Sequence, residues 1–231
     1  MNENQLMILR QEDLVNNPTA RVPVCLCLDV SGSMDGAPIR ELNEGIRHFY
    51  EAIQADETAL FAAEISVVTF GGYNEAVCIE DFANIDRQSV PVVRAGGLTP
   101  LGEGVELALN LLERRKQEYK DKGVDYYQPW LVLMTDGAPN GDADVLRDAI
   151  QQTISLVKEE KLTVFPIGIG PEADMSMLGK FSPTRQPLRL QGLNFKEFFA
   201  WLSSSVSRTS MSTPGEKVKL DVDGMQGWAE L

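Results

Sequence analysis

The chain has 231 residues, 43% of them hydrophobic and 24% charged, so it can bury a sizeable core and is not a disordered acidic segment. Its 21 Lys and Arg against 34 Asp and Glu give a net charge of −13. An acidic surface repels nucleic-acid phosphates and anionic lipids, and no apolar stretch reaches the roughly 18 residues of a membrane span. We therefore expect neither nucleic acid nor membrane as a partner.

In chain order, the first apolar run spans residues 22–28, and its lack of polar alternation is typical of a strand covered on both faces in a parallel sheet. A polar turn follows, and apolar residues at spacings of three and four then predict a helix over 39–53. Two more strands are predicted over 64–70 and 76–82. The turn at 71–74, with two glycines and Asn74, predicts a hairpin, so the third strand is antiparallel to its neighbour.

The second half of the chain continues this alternation after a long loop at 83–100. A helix over 102–120 ends in the charged run ERRKQEYK, which we expect to be exposed, with its cations complementing the helix dipole. The apolar run 130–134 predicts the next strand. The remaining predicted elements are a helix over 143–161, a strand over 162–169, a short helix over 175–180, an extended segment over 187–190 and a helix over 195–206.

This order of elements predicts an α/β fold with a doubly wound, mostly parallel six-stranded sheet, one antiparallel edge strand and flanking helices, in a Rossmann-like arrangement. We divide the chain into an N-terminal extension (1–20), one α/β domain (21–207) and a polar linker with a C-terminal tail (208–231).

The tail contains few apolar residues, which are Val218, Leu220, Val222 and Trp228. It either packs back on its own domain or docks to a partner as a strand. The small apolar surface favours the first arrangement.

The cysteines and the N-terminus indicate the compartment. Cys25 and Cys27 lie two residues apart in an apolar strand, so both face the same side of the sheet. A buried pair of thiols in a reducing cytosol is favoured over a metal or redox role. The N-terminus lacks the basic region and the long apolar region of a secretory signal, so we expect a cytoplasmic protein.

Three loops carry short side chains with oxygen atoms. Asp29, Ser31 and Ser33 follow the first strand in DVSGS, Thr99 lies in GGLTPLGEG, and Asp136 lies in the TDG that follows WLVLM. Ligands of open α/β sheets bind at the carboxyl ends of the strands, where such loops gather. Hydroxyls and carboxylates, with no histidine or thiol close in sequence, favour Mg²⁺ or Mn²⁺ over zinc.

The charges of these groups suggest what a bound ion would do. If Ser31, Ser33 and Thr99 present neutral hydroxyls while Asp29 and Asp136 act mostly through water or as outer partners, the ion keeps much of its positive charge. An open coordination position would then attract a carboxylate from a ligand. The residues leave another interpretation open, in which the aspartate and serines of DVSGS form a hydrogen-bonded turn that caps the next helix.

Other polar residues near these loops give weaker signals. Asp35 could approach the ion, although a role in the turn or as a helix cap is favoured. Pro139, Asn140 and Asp142 line the third loop and could contact a ligand, but the sequence assigns none of them a role.

Together DVSGS, GGLTP and the TDG after an apolar strand resemble the metal-ion-dependent adhesion site of von Willebrand factor type A domains, and the likeness covers roughly residues 21–207. The resemblance implies that the serines bind the ion directly, that the threonine does so directly or through water, and that the two aspartates lie in or just behind the coordination shell. The matching positions are Asp29, Ser31, Ser33, Thr99 and Asp136.

Longer segments are similar to the bacterial TerY-like branch of that family, small cytoplasmic proteins encoded with tellurium-resistance and stress-response operons. These segments are LDVSGSMDGAPIRELNEGI, VVTFGG, AGGLTPLGEGV, YYQPWLVLMTDGAPN and GLNFKEFFAWLSSSVS. The resemblance implies a scaffold that works beside a protein kinase and a PP2C-type phosphatase. The expected ligand is an Asp or Glu carboxylate of a protein partner.

Two classes of function remain open. A non-enzymatic, metal-dependent interaction module is favoured because no nucleophile is paired with a base. The alternative is a metal-dependent phosphatase or hydrolase. A haloacid-dehalogenase-type phosphatase would need an acid at Ser31, and a serine hydrolase would need G-x-S-x-G and a histidine base. The only histidine, His48, is predicted on the solvated side of its helix, and no Walker motif is present.

Overall fold

A computed structural model describes residue 14 and residues 16–72, 75–215 and 229–230. Asn74 of the predicted hairpin turn lies outside these residues. So do most of the predicted N-terminal extension and the four apolar tail residues, Val218, Leu220, Val222 and Trp228.

The described residues form one seven-stranded sheet in the order β3-β2-β1-β4-β5-β6-β7. The strands are β1 (Val22–Val30), β2 (Ala63–Gly71), β3 (Glu75–Asn84), β4 (Trp130–Thr135), β5 (Thr163–Ile169), β6 (Leu188–Leu190) and β7 (Ala229–Glu230). Neighbouring strands from β2 to β6 pair in parallel, whereas β3 is antiparallel to β2. This confirms the predicted six-stranded, mostly parallel sheet with an antiparallel edge. The short β7 extends it by pairing antiparallel with β6.

Helices cover both faces of the sheet. They are α1 (Ala37–Ala55), α2 (Glu57–Ala62), α3 (Leu101–Lys122), α4 (Ala143–Lys158), α5 (Met175–Gly179) and α6 (Phe195–Ser210). Five of them were expected, and α2 was not. The predicted helix over 143–161 is too long, because Glu160 adopts a left-handed φ of 54° that does not continue a helix. None of the helices in the described ranges combines the length and hydrophobicity of a membrane span.

Alternate residues of the central strands face two helical layers. Leu26 and Leu28 of β1 lie in the core beneath α1 and α6, whereas Cys25 and Cys27 lie in the core beneath α3 and α4. Both thiols are fully buried and free, as the alternation predicted. Burial raises the pKa of each thiol, so both stay protonated and unreactive at neutral pH.

The charged run at the end of α3 is not a fully solvated helix end, and that prediction is wrong. Arg115, Lys116 and Tyr119 are all buried. The reason is a buried carboxylate on β2: Arg115 donates from Nε to Oε2 of Glu64 at 2.7 Å and from a terminal nitrogen to Oε1 at 2.9 Å. The Tyr119 hydroxyl donates to the same carboxylate at 2.5 Å.

The central strands bring the expected loops to one edge of the sheet. In the β1–β4 pair Leu28 lies opposite Met134, so Asp29 and Thr135 lie at neighbouring carboxyl ends. From β1 the chain proceeds to β2 on one side, while β4 lies on the other side. The crevice between two such strands is the usual ligand site of an open α/β sheet.

The short helix α2 depends on Asp56, whose Oδ1 accepts hydrogen bonds from the backbone nitrogens of Ala59 and Thr58 at 2.9 Å each. The bond from Ala59 contributes most to lowering the pKa of Asp56. We expect Asp56→Ala to lower the free energy of unfolding by about 1 kcal/mol at neutral pH. Because the pKa of Asp56 is lower in the folded state than in the unfolded state, its charge stabilises the fold at any pH above the unfolded-state pKa. This stabilisation is lost as the pH falls through the folded-state pKa.

Urea unfolding of the wild type and Asp56→Ala at pH 7 and pH 3 measures both effects. The difference in the free energy of unfolding between the two proteins should be smaller at pH 3 than at pH 7. The exposed Asp86→Ala is the control, since the Asp86 side chain is 56% exposed. A difference that is the same at both pH values would contradict the contribution of the charge.

Candidate metal-binding site

The first loop of the site is folded around Asp29, which is fully buried. Its Oδ1 accepts a hydrogen bond from the Ser31 nitrogen at 2.8 Å, and its Oδ2 accepts one from the Thr135 hydroxyl at 2.5 Å. A single 3₁₀ turn, Gly32–Met34, follows. The Ser31 and Ser33 hydroxyl oxygens then lie 3.1 Å apart, within hydrogen-bonding distance. Asp29 therefore holds the loop so that both hydroxyls lie side by side.

The alternative in which these side chains cap the next helix is not what the structure shows. The N-cap of α1 is Gly36, which provides no side chain for capping. Ser31 precedes the 3₁₀ turn but makes no side-chain cap bond. Asp35 ends that turn, with its nitrogen donating to the Gly32 carbonyl at 3.2 Å. The loop is thus a hydrogen-bonded turn whose serine hydroxyls are not used as helix caps.

The third loop meets the first through Asp136. The Ser33 hydroxyl donates to Oδ1 of Asp136 at 2.8 Å, although the two residues are 103 positions apart in the chain. Contacts between successive polar groups therefore join Asp29, Ser31, Ser33 and Asp136, four of the five predicted site residues.

Thr99, the fifth predicted residue, is buried and is held through its backbone. Its loop docks on the first loop because Gly32 donates from its nitrogen to the Gly97 carbonyl at 3.1 Å and Gly96 donates to the Val30 carbonyl at 2.8 Å. Gly97 has a φ of 70°, a conformation that side chains other than glycine rarely adopt. On the other side, the Thr99 nitrogen donates to Oδ1 of Asn140 at 2.5 Å.

Burial raises the pKa of both site carboxyls. For Asp29 the hydrogen bonds from Ser31 and Thr135 oppose this rise, and for Asp136 the hydrogen bond from Ser33 does so. Within the described part of the chain neither carboxyl has a cationic side chain as a partner. One fully buried and one half-buried carboxyl without a counter-charge are a setting that a bound cation would stabilise.

The donor set fits a hard cation. Among the described residues, no three His, Cys, Asp or Glu side chains are grouped to hold a metal ion, so an ion at this edge would depend on hydroxyl oxygens as well as carboxylates. Hydroxyl and carboxylate oxygens are ligands that Mg²⁺ accepts. The residues that come together therefore fit a magnesium-type site.

Residues outside the predicted set complete the surroundings. Thr135 and Asn140 hold Asp29 and Thr99, respectively, and the sequence did not single out either role. The only signal was their position in TDGAPN, next to Asp136. His48 lies partly exposed on α1, with Nδ1 at 3.6 Å from a carboxylate oxygen of Glu51, and it is not hydrogen-bonded to the site serines.

An open, mostly parallel sheet with hydroxyls and carboxylates gathered between two central strands defines an α/β domain with an oxygen-ligand site at its switch point. The family model of the von Willebrand factor type A domain matches residues 24–197. The chain belongs to this family.

Several solved structures share the fold. A von Willebrand factor type A protein from Catenulispora acidiphila is 19% identical over 82% of this chain and 43% of its own, with a TM-score of 0.63. The pilus adhesin SpaC from Lactobacillus rhamnosus GG, in its open conformation, is 13% identical over 82% of this chain and 30% of its own, with a TM-score of 0.63.

The mussel byssus protein PTMP1, in a structure with a zinc-occupied MIDAS motif, is 19% identical over 82% of this chain and 48% of its own, with a TM-score of 0.54. The chain thus spans less than half the length of each of these three proteins. No curated protein matches the chain. At these identities the likeness establishes the fold.

Proposed function

We propose that this protein is a non-enzymatic, metal-dependent interaction module that captures a carboxylate of a protein partner. The observation that carries the proposal is the convergence of Asp29, Ser31, Ser33 and Asp136 through hydrogen bonds at the carboxyl ends of β1 and β4, with the Thr99 loop docked beside them. Family membership supports the same assignment.

In this proposal Ser31, Ser33 and Thr99 offer hydroxyls to the ion, and Asp29 and Asp136 bind it directly or through water. A bound Mg²⁺, or Mn²⁺ in its place, supplies a positive charge that these ligands only partly neutralise. That charge would attract an Asp or Glu side chain of the partner to an open coordination position. PTMP1 has zinc in its MIDAS motif, but the oxygen donors of this chain favour a harder ion.

The hydrogen bonds of the site support binding rather than catalysis. A nucleophilic serine needs a neighbouring base that takes its proton. Here the Ser33 hydroxyl donates to Asp136, whose carboxylate would be engaged by the ion in this proposal and so would not be free to take the serine proton. The Ser31 hydroxyl is within hydrogen-bonding distance of Ser33. His48, on α1, contacts Glu51 instead.

The resemblance of longer sequence segments to the TerY-like branch supports a narrower role. We propose a cytoplasmic scaffold in a bacterial stress response of the tellurium-resistance kind, with a protein kinase and a PP2C-type phosphatase as its partners. The two fully buried free thiols, Cys25 and Cys27, suit a reducing compartment.

Removing one hydroxyl tests the metal-dependent capture. We expect Ser33→Ala to abolish Mg²⁺-dependent retention of partners from a bacterial lysate. The fold should be kept, because Ser33 is exposed and removing its hydroxyl opens no cavity. The measurement is affinity capture in Mg²⁺ and in EDTA, followed by mass spectrometry.

The matched control is Ser204→Ala, which removes an exposed hydroxyl bonded only to its own helix, at Ala200. This variant should retain the same partners as the wild type. Identical partners in EDTA and Mg²⁺ would show that capture does not use the ion. Turnover of a phosphate ester by the wild type, lost in Asp29→Asn, would favour a phosphatase instead.

A further inference from the structure

Asn140 makes a reciprocal bridge to one of the proposed ligands. Its side-chain Oδ1 accepts a hydrogen bond from the Thr99 nitrogen at 2.5 Å, and its backbone nitrogen donates to the Thr99 carbonyl at 3.1 Å. Asn140 is exposed, so the bridge is not needed to satisfy a deeply buried side chain. Its effect is to lock the second loop of the site onto the third.

The segment that carries Asn140 is itself anchored to two helices. Oε1 of Glu103, in the first turn of α3, accepts from the Asp142 nitrogen at 2.9 Å. The Asp142 carboxylate in turn caps α4 by accepting from the nitrogens of Asp144 and Val145, at 2.8 and 3.1 Å. Asn140 is therefore attached to a rigid frame.

Close packing around Gly141 holds this frame together. A Cβ on Gly141 would lie 2.4 Å from Oε2 of Glu103 and 2.9 Å from Cα of Pro100. Since Pro100 directly follows Thr99, the segments 99–100 and 140–142 lie in close contact at Gly141. The main chain of Thr99 is thus fixed from both sides, by Asn140 and by the first loop through Gly97.

The affinity of a metal site depends on how firmly its ligands are held, and groups that orient ligands contribute to it without touching the ion. We propose that Asn140 is a positioning residue that holds the Thr99 main chain and thereby sets the affinity of the site for a divalent cation. The inference rests on the proposed function, because it takes Thr99 to be a ligand.

The experiment measures the affinity for Mn²⁺ alone by electron paramagnetic resonance, with no partner present. Asn140→Ala should weaken Mn²⁺ binding about 10- to 100-fold, the usual effect of removing a group that orients a ligand. Asn140→Asp keeps an oxygen that can accept the same hydrogen bond from Thr99 and adds a negative charge, so its Mn²⁺ affinity should not fall below that of the wild type.

Asn43 provides a matched control. Its Nδ2 donates to the Val93 carbonyl at 2.9 Å and its Oδ1 accepts from the Val93 nitrogen at 2.8 Å, so it also bridges both polar groups of one backbone residue. Asn43→Ala should lower the melting temperature in EDTA but leave the Mn²⁺ affinity unchanged. If Asn140 had only a structural role, Asn140→Ala would likewise lower the melting temperature and leave the Mn²⁺ affinity unchanged.

A double-mutant cycle tests whether Asn140 acts through Thr99. In a Thr99→Val background, Asn140→Ala should weaken Mn²⁺ binding no further. Unchanged affinity in Asn140→Ala, or an equal loss with and without the Thr99 hydroxyl, would overturn this inference alone. A wild-type protein that does not bind Mn²⁺ would overturn the proposed function and this inference with it.

Discussion

Asp29→Asn is expected to remove the stabilisation that Mg²⁺ gives to the wild-type protein. A ligand that binds only the folded state at a hundredfold excess over Kd raises the free energy of unfolding by about 2.7 kcal/mol. The variant keeps the shape of the side chain and an oxygen that accepts the hydrogen bond from the Ser31 nitrogen. The Thr135 hydroxyl, which can accept as well as donate, can turn to accept from the new amide nitrogen, so the loop should keep its fold. It loses the negative charge that the proposed ion requires.

The same variant should behave differently without metal. Burial raises the pKa of Asp29, which means that the folded protein disfavours its charged form. Since asparagine carries no charge, we expect Asp29→Asn to be at least as stable as the wild type in EDTA at pH 7. The two proteins should therefore change their order of stability when Mg²⁺ is added.

Urea unfolding of both proteins in EDTA and across a Mg²⁺ titration checks this reversal. Asp144→Asn is the matched control, because the Asp144 side chain is 78% exposed and lies outside the proposed ligand set. It should gain as much stability from Mg²⁺ as the wild type does. An equal gain in Asp29→Asn would contradict the role of Asp29 in metal binding.

The proposed ligands could be found in the sequence because of the rules of parallel sheets. Apolar runs marked β1 and β4 clearly, and the carboxyl ends of neighbouring parallel strands meet at one edge. That rule alone predicts that Asp29 and Asp136 lie close together. Thr99 lies on a connection with little periodicity, so it is grouped with the others for the hydroxyl in its loop and for the resemblance of GGLTP to a family motif.

The residues that hold these ligands could not be found in the same way. Asn140 bonds to the backbone of Thr99, 41 positions away. Every residue other than proline has such a backbone nitrogen, so the sequence does not indicate which one a side chain contacts. Thr135 belongs to a motif, but its hydroxyl bonds to Asp29 only because the register of β1 and β4 puts the two side by side. Such contacts depend on register and loop shape, which residue patterns do not encode.

The missed elements were too short for periodicity to reveal. The helix α2 has six residues, ETALFA, fewer than two turns, so no apolar stripe can repeat along it. Its one signal was Asp56 as an N-cap. The strand β7 has two residues and is defined only by its pairing with β6.

The buried part of the ERRKQEYK run shows why local charge patterns can mislead. Arg115 has the sequence surroundings of a solvated residue, yet its side chain is 3% exposed. Its partner, Glu64, is 51 positions away within a fully buried strand. Arg21 approaches the same carboxylate, with Nε at 3.1 Å from Oε1. One buried carboxylate therefore lies between two buried guanidinium groups, and Arg115 also pairs with the more exposed Glu118 at 2.5 Å. We expect the Glu64 charge to have a large effect on stability.

We expect Glu64→Gln to lower the free energy of unfolding by about 3–5 kcal/mol, the usual cost of breaking a buried ion pair from one side. The substitution preserves the volume, so the loss would come from charge rather than packing. Arg21 and Arg115 would keep their positive charges in a site that water does not reach, and the Tyr119 hydroxyl would face a neutral amide.

The control is Glu44→Gln, which breaks an ion pair with Arg47 on the surface of α1, where the two side chains are 56% and 44% exposed. Exposed pairs contribute little to stability, so this variant should unfold almost as the wild type does. Urea denaturation of both variants at pH 7 gives the comparison. Similar losses for Glu64→Gln and Glu44→Gln would contradict the proposed role of the buried negative charge.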